Sequence, residues 1–485
     1  MPQRRLALAA LLPLLGGCYA VLPSAGGGQT AFEPPRRIDA ADVAVPAGYR
    51  IEAVASGLTF PTNIAFDEAG ALHVVESGYS YGEVWTAPRL LRIAADGTAE
   101  PVATGGRNGP WTGAVRHGGR WYIAEGGQGE GGRILRQEPD GRLTALVEGL
   151  PSLGDHHTDT LALGPDGWLY FGQGTATNSG VVGPDAAEFG WLHRHPDFHD
   201  TPCRDVTLSG ANFTSHSPLE ANRGAMVTTG PYKPYGTPAR AGEAVPGRLP
   251  CNGAVLRIRP EGGPLELVAW GFRNPFGLAF APDGALYVTD NAYDERGSRP
   301  VFGAGDLLWR VRPGQWHGWP DYSGSERLDD ADRFGPPGGP APPLLLRAPP
   351  NIPPAPAARL GVHSSSNGID FSRSPRFGHV GEAFVAQFGD QAPMTGKVMA
   401  PVGYRVVRVD VATGTVHDFA ANRGRENGPA SWLGGGGLER PLGLRFSPDG
   451  DALYIADFGV MTMEGEAPAP RQGTGVVWRV SRTGG

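Results

Sequence analysis

Residues 277–290 have the sequence GLAFAPDGALYVTD, in which two short apolar segments flank the tight turn Pro282-Asp283-Gly284. Such a turn between apolar segments predicts a β-hairpin. The same unit occurs six times along the chain, at residues 62–76, 113–125, 160–173, 277–290, 368–387 and 443–457. Because self-similarity along a chain is the signature of repeat architectures, these six units decide the fold.

A third apolar segment that contains an arginine follows each unit. These segments are residues 91–93, 135–136, 256–258, 309–311, 407–409 and 478–480. Three strands per unit, with room for a fourth, are typical of a propeller blade. We therefore predict an all-β fold, a six-bladed β-propeller over residues 39–485, with two long loop insertions at about residues 176–250 and 321–362.

The composition agrees with a fold of many turns. The 485 residues include 75 Gly and 47 Pro, the two poorest helix formers, which excludes a long-helix protein. With 40% hydrophobic and 19% charged residues, the chain can still bury a large core. A net charge of −7 without a basic run argues against a nucleic-acid partner.

The N-terminus is typical of an export signal. Arg4 and Arg5 precede an apolar run at residues 6–15, which is too short to span a membrane. The run ends in Leu-Gly-Gly-Cys, which resembles a bacterial lipobox with Cys18 as the lipidated residue. We therefore expect a lipoprotein signal peptide at residues 1–18 and a flexible tether at 19–38; an ordinary secretory signal is the alternative.

These features predict an exported, membrane-anchored lipoprotein that faces the periplasm or the cell exterior and touches the membrane only through its lipid anchor. Cys203 and Cys251 then remain as an even pair of cysteines in an oxidising compartment. They are predicted to form a disulfide.

Polar residues collect where the repeat brings strand ends together. In a propeller, the start of the innermost strand and the end of the next strand lie on the same face. The residues at these positions are Asp155, His156, His157, Arg273, Asn274, His363, Asn367 and Arg440 at the starts, and Glu76, Glu125, Gln173, Asp290, Gln387 and Asp457 at the ends. We expect this ring to bind a ligand or metal. Hydrogen bonds and salt bridges between blades are the structural alternative for the acids.

Residues 270–280, with the sequence WGFRNPFGLAF, resemble the signature strand of the glucose/sorbosone dehydrogenase family. Residues 45–50 and 55–58 are similar to the family's first segment, and residues 294–300 and 316–320 to its loops. The resemblance covers roughly residues 40–482. It implies a six-bladed propeller that uses pyrroloquinoline quinone (PQQ) and calcium to oxidise C1 of aldoses or related aldehydes.

The resemblance also implies roles for individual residues. His156 matches the catalytic base, with His157 as the alternative register, and Arg273 matches the residue that contacts quinone and substrate oxygens. The matching PQQ-binding residues are Asn274, Arg440 and Lys397, and Asp290 with the following loop, including Asp294 and Glu295, matches the segment that supplies calcium ligands.

Two positions depart from the family pattern. Thr175 stands where soluble glucose dehydrogenases have an acid that orients the histidine, and Leu442 stands where a second PQQ-binding arginine is expected. These departures place the chain closer to the sorbosone-type branch. Without an orienting carboxylate, a general base is weakened.

The sequence therefore predicts a PQQ- and calcium-dependent dehydrogenase for a small-molecule sugar, aldehyde or alcohol, with an external quinone or cytochrome as electron acceptor. A histidine suits the proton transfer, and arginines with a hard cation suit a tricarboxylate quinone. The chain has no dinucleotide-binding glycine pattern. A metal-dependent lactonase-like hydrolase and a non-catalytic binding propeller are the alternatives.

Overall fold

A computed structural model of the chain describes residues 32–78, 86–127, 130–188, 190–220, 224–390, 400–464 and 467–484. These residues form six antiparallel sheets of four or five strands each, which confirms the predicted six-bladed β-propeller. Each repeat unit of the sequence supplies the two inner strands of one blade, and the arginine-containing segment supplies the third.

The strands of each blade are given from the central axis outwards. They are Pro61–Phe66, Leu72–Glu76, Arg89–Ile93 and Ala99–Thr104 in blade 1; Trp111–His117, Arg120–Glu125, Gly132–Gln137 and Leu143–Leu150 in blade 2; Thr158–Leu163, Leu169–Gln173, Ala254–Ile258 and Glu266–Trp270 in blade 3; Pro275–Phe280, Leu286–Asp290, Gly305–Arg310 and Ala358–Val362 in blade 4; Ser366–Phe371, Ala383–Gln387, Arg405–Asp410, Thr415–Asn422 and Val43–Ala44 in blade 5; and Pro441–Phe446, Ala452–Asp457, Gly475–Arg482 and Tyr49–Leu58 in blade 6.

Within the described ranges, short helices and two-stranded sheets lie in the loops that connect the blade strands. The helices are Asp185–Glu188, Trp191–Arg194 and Ala331–Phe334, with a 3-10 turn at Ala40–Asp42. The two-stranded sheets pair Val206–Thr207 with Ala244–Val245, Phe213–His216 with Met226–Thr229, Tyr322–Ser323 with Glu326–Arg327, and Met461–Glu464 with Ala467–Pro470.

Glycines on the innermost strands let neighbouring blades approach closely at the axis. A Cβ atom on Gly277 would lie 2.1 Å from the main-chain oxygen of Asn367, and one on Gly443 would lie 2.3 Å from that of Thr62. No side chain fits at these distances, so the third position of these strands requires glycine. Apolar side chains of the blades pack between neighbouring sheets, as Phe446, Trp478 and Phe384 do between blades 5 and 6.

The ring is closed by a strand from the N-terminal part of the chain. Tyr49–Leu58 pairs antiparallel with Gly475–Arg482 and so becomes the outermost strand of blade 6. The described end of the predicted tether, residues 32–38, also lies against this blade. Arg36 there donates hydrogen bonds to Asp457 (2.6 Å) and to the main-chain oxygen of Gly437 (2.8 Å). The N-terminal segment is therefore part of the propeller's closure.

The two predicted insertions lie within blades 3 and 4. The first connects Gln173 to Ala254, and the disulfide between Cys203 and Cys251 links its interior to its end. The second connects Arg310 to Ala358, so it ends before the predicted bound at 362. The reason is that Ala358–Val362 pairs with Gly305–Arg310 as the fourth strand of its blade.

The described residues include no helix that is both long and apolar enough to cross a membrane. The predicted signal peptide and Cys18 lie outside the described residues.

Candidate active site

In every blade the beginning of the innermost strand pairs with the end of the second strand, as the repeat predicts. The paired residues are Pro61 and Glu76, Trp111 and Glu125, Thr158 and Gln173, Pro275 and Asp290, Ser366 and Gln387, and Pro441 and Asp457. We call the face of the propeller on which these pairs lie the mouth.

Asp290, a predicted metal ligand, holds the two residues that precede the innermost strand of blade 4. Its Oδ1 accepts hydrogen bonds from the main-chain N–H groups of Arg273 (3.1 Å) and Asn274 (2.8 Å). Its Oδ2 accepts one from the indole Nε1 of Trp309 (3.1 Å). Burial raises the pKa of Asp290 to about 7, although the three hydrogen bonds by themselves would lower it. Both oxygens are thus engaged with N–H groups, and the residue fixes the backbone that carries Arg273 and Asn274.

Asp457 has the same role in blade 6. It accepts hydrogen bonds from the main-chain N–H groups of Glu439 (2.9 Å) and Arg440 (2.8 Å) and from the indole of Trp478 (3.1 Å). The guanidinium of Arg36 also lies 2.6 Å from this carboxylate, and the main-chain N–H of Gly459 donates to it (3.3 Å). Equivalent positions in the repeat therefore make equivalent hydrogen bonds. For these two acids the contacts are structural, but they lie within one blade and not between blades.

Replacement of Asp290 by alanine is expected to lower the free energy of unfolding by about 3 kcal/mol, because three buried N–H donors lose their acceptor. Asp290→Asn keeps an oxygen for the two main-chain donors, so its loss should be about 1 kcal/mol. Chemical denaturation measures both values. Asp418→Ala, at an exposed strand position, is the matched control. Equal stability of the alanine variant and the wild type would contradict the positioning role.

The ring of His156 is held in one tautomer by Thr175. Thr175 Oγ1–H donates to the main-chain oxygen of Thr177 (2.7 Å), so toward the histidine this hydroxyl can only accept. The main-chain oxygen of Thr175 is an acceptor as well. Because both groups lie at 3.0–3.1 Å from Nδ1, that nitrogen carries the proton and Nε2 carries the lone pair. Thr175 therefore orients the ring without a carboxylate.

The acid beside this base is Asp155, and it lies on the opposite side of the ring. Its Oδ2 is 3.6 Å from Nε2 of His156. Burial lowers the pKa of His156 to about 3, with the charge of Asp155 opposing that shift. The imidazole is consequently neutral at physiological pH. The neighbouring ring of His157 faces Asp159 instead, with 3.4 Å between His157 Nδ1 and the carboxylate.

Two arginines and two aspartates form an alternating ring of charges beside His156, which we call the charge ring. Arg273 Nη2 lies 2.7 Å from Asp294 and 3.6 Å from Asp155. Arg296 Nη2 lies 2.6 Å from Asp155 and 3.1 Å from Asp294. All four residues lie near or at the ends of strands in blades 3 and 4. His156 and Arg273, predicted from the repeat phase, are thus brought together by the structure.

The other two predicted metal ligands are each paired with a cation. Burial alone would raise the pKa of Asp294, but Arg273 and Arg296 hold it below its usual range. Glu295 lies 2.7 Å from Nε2 of His363. Burial would lower the pKa of His363, but Glu295 and then Asp294 raise it to about 9. No group of three or more His, Cys, Asp or Glu side chains in the described ranges is arranged to hold a metal ion.

Arg440 lies on the blade 6 side of the mouth and is only 1% exposed. Its guanidinium lies 4.9 Å from the ring of Phe388 and 5.1 Å from that of Tyr404, and Nη1 donates to the main-chain oxygen of Gly389 (3.2 Å). Leu442 packs in an apolar cluster with Phe60, Phe276, Phe388, Phe458 and Met461. Lys397 lies outside the described residues.

Asn274 presents an unsatisfied acceptor at the mouth. Its Nδ2 donates to Oδ1 of Asn291 (2.9 Å), whereas its buried Oδ1 has no hydrogen-bond partner within the described part of the chain. A buried acceptor without a donor is unfavourable, so this atom indicates where a ligand with an N–H or O–H group would bind.

Two residues of the site were not assigned by sequence reasoning. Arg296 lies in a loop that was matched to the family without a role, and Asp185, which lies 2.9 Å from Arg296, comes from the first insertion. Neither residue occupies a repeat phase, so the repeat gave no signal for either of them.

The propeller is shared with solved sugar dehydrogenases at low sequence identity. The PQQ-bound aldose sugar dehydrogenase of Streptomyces coelicolor matches with a TM-score of 0.50 at 15% identity, over 90% of this chain and 99% of that one. The holo PQQ domain of pyranose dehydrogenase from Coprinopsis cinerea matches with a TM-score of 0.54 at 17% identity, over 93% and 98%. The calcium structure of a Trichoderma reesei carbohydrate-active enzyme of family AA12 matches with 0.50 at 16%, over 92% and 98%.

No protein-family model and no curated protein matches the sequence. The structural matches confirm the predicted resemblance at the level of the fold, which is a propeller of the sugar dehydrogenase type.

Proposed function

We propose that the chain is a quinoprotein oxidoreductase that uses PQQ to oxidise an aldose or a sugar-derived aldehyde or alcohol at the mouth of the propeller. One observation carries the proposal: a histidine whose Nε2 is held unprotonated lies in the same cluster as Arg273 and Asn274. The fold shared with sugar dehydrogenases supports the reaction class.

The residues present fit the quinone at three positions. The unsatisfied Oδ1 of Asn274 suits an N–H donor of the cofactor, and the guanidinium groups of Arg273 and Arg440 suit its carboxylate and carbonyl oxygens. Bound PQQ would supply the acceptor for the two electrons that leave the substrate carbon. Lys397 stays a predicted further contact.

The chain's own residues account for the proton. A substrate hydroxyl at the mouth would transfer its proton to Nε2 of His156, because Nδ1 already carries one. The imidazolium formed would be stabilised by Asp155, 3.6 Å away. Arg273 would stabilise negative charge that develops on the substrate oxygen, since it is a fixed cation in a buried setting.

The predicted calcium ligands do not fit a calcium site. Calcium takes six to eight oxygen ligands, whereas Asp290 is engaged with three N–H groups and Asp294 and Glu295 with cationic side chains. No step of the proposed reaction therefore uses a metal ion. The same pairing gives no support to a metal-dependent lactonase.

The substrate is proposed to be a small sugar or aldehyde and the electron acceptor an external quinone or cytochrome. Export and lipid anchoring at Cys18, facing the periplasm or the cell exterior, are proposed from the sequence alone. Membership of the sorbosone-type branch stays a prediction based on Thr175 and Leu442.

A titration of the purified protein with PQQ tests the function. We expect saturable binding with a Kd of about 1 μM or tighter, followed as a change in cofactor absorbance, and reduction of an artificial electron acceptor when aldoses are added. A panel of aldoses, aldehydes and sugar lactones identifies the substrate. No PQQ binding together with lactone hydrolysis would contradict the proposal, and no binding and no reaction of any kind would favour a non-catalytic propeller.

A further inference from the structure

Arg296 connects acids from three separate segments of the chain. Its guanidinium lies 2.6 Å from Asp155 ahead of blade 3, 2.9 Å from Asp185 in the first insertion, and 3.1 Å from Asp294 in its own loop. The side chain is about three-quarters buried, and Asp155 is almost completely so. Cross-linking carboxylates from distant segments is what a bound divalent cation does in many proteins. Here a side chain of the protein does it.

The charges around Arg296 disfavour a dication at the same place. Asp294 is shared with Arg273 at 2.7 Å, and Glu295 is paired with His363 at 2.7 Å. A calcium ion bound to Asp294 and Glu295 would therefore have the guanidinium groups of Arg273 and Arg296 as neighbours, and it would have to displace His363 from Glu295. Like charges at such distances repel strongly in a poorly solvated site. Calcium would have to displace ion pairs that are already formed.

We infer that Arg296, together with Arg273, takes the place of a divalent cation at the mouth, so that this chain binds its quinone cofactor without a metal ion. The inference rests on the proposed function for the identity of the cofactor. The ion pairs of Arg296 are present in the apo-protein, so its role in place of a cation can be tested without cofactor. Arg296 is a positioning residue here, because it holds Asp155 beside Nε2 of His156.

The first test measures calcium binding without cofactor. Thermal unfolding of the full apo-protein is followed in EDTA and in calcium chloride, for the wild type and for Arg296→Gln. We expect the wild type to unfold at the same temperature in EDTA and in calcium chloride. The variant should be less stable and should be stabilised by calcium, because Asp155 and Asp185 lose their close cationic partner and Asp294 keeps only Arg273. Arg310→Gln, at a half-exposed arginine that pairs with Asp283 at the end of the third strand of blade 4, is the matched control.

The second test measures cofactor affinity. PQQ titrations of the wild type in EDTA and in calcium chloride should give Kd values within about twofold of each other. Arg296→Gln should weaken PQQ binding at least about tenfold in EDTA, since removing one partner of a buried ion pair leaves the others uncompensated. Calcium should restore part of that loss. If this variant does not fold, Arg296→Lys replaces it. Lysine keeps the positive charge but lacks the planar guanidinium that pairs with several carboxylates, so PQQ affinity should fall by a smaller factor.

The outcomes separate this inference from the proposed function. PQQ binding by the wild type only when calcium is present, or stabilisation of the wild-type apo-protein by calcium, would overturn the inference and leave the function intact. An Arg296→Gln variant that gains no calcium response would overturn it too. Absence of PQQ binding in both buffers would contradict the proposed function, while the unfolding experiment still decides the role of Arg296.

Discussion

Replacement of His156 by alanine is expected to lower kcat for sugar oxidation about a thousandfold, because a positioned general base typically contributes a factor of 10²–10⁴. PQQ affinity should change by less than about threefold, since the proposed cofactor contacts are Asn274, Arg273 and Arg440. Steady-state kinetics with an artificial acceptor and a PQQ titration measure the two effects. A loss in kcat without a loss in affinity is the signature of a group that acts in the chemical step.

His157→Gln is the matched control for this experiment. The ring of His157 faces Asp159 and not the charge ring, so its replacement should lower kcat by less than about tenfold. If His157→Gln were the damaging change and His156→Ala the mild one, the assignment of the base would be reversed. Similar small effects of both changes would contradict a histidine base.

The low pKa of His156 sets the pH dependence of the wild type. Because burial lowers this pKa to about 3, the imidazole stays neutral from pH 8 down to pH 5, and kcat/KM should not fall in that range through protonation of the base. The same lowered pKa makes the free energy of unfolding fall as the pH falls, whereas a histidine with a raised pKa would stabilise the fold at low pH. The unfolded chain binds the proton below its ordinary pKa of about 6.5, so this residue destabilises the fold as pH drops from about 6.5 toward 3.

The fold was predictable because its units are local. Each hairpin is specified by two apolar segments and a turn such as Pro282-Asp283-Gly284, and six copies leave little freedom in their arrangement. The closing strand Tyr49–Leu58 was not assigned, because its partner Gly475–Arg482 lies more than 400 residues away and no local pattern specifies such a pairing. The same is true of Arg36, which reaches Asp457 only in the folded ring.

The site was predictable only where it follows the repeat. His156 and Arg273 occupy one phase and do converge. Asp290 and Asp457 occupy another, and each accepts hydrogen bonds from the two main-chain N–H groups that precede its blade's innermost strand. Arg296 was not predicted as a site residue, because it acts through side-chain ion pairs between segments that the repeat does not relate. The chemistry of a carboxylate depends on the donors it meets, and the sequence names the carboxylate but not those donors.

The disulfide between Cys203 and Cys251, which the sequence predicted and the structure confirms, supports the base through its neighbours in the chain. Asp200 accepts hydrogen bonds from the main-chain N–H of Ala176 (2.6 Å) and the hydroxyl of Thr177. Asn252 donates to the main-chain oxygen of Gly174 (3.0 Å). The segment held between these contacts contains Thr175, which fixes the tautomer of His156.

Replacing Cys203 and Cys251 by serine is therefore expected to lower the free energy of unfolding by about 4 kcal/mol, the value for a closed loop of this length. The chain between the two cysteines spans a sequence separation of 48, so the unfolded chain gains much freedom when the link is removed. The variant should also lose about tenfold in kcat, because Thr175 is held less firmly. Chemical denaturation and kinetics measure both effects, with dithiothreitol-reduced wild type expected to match the variant. Full stability with lost activity would show that the link acts only on the site, and unchanged values of both would contradict its role.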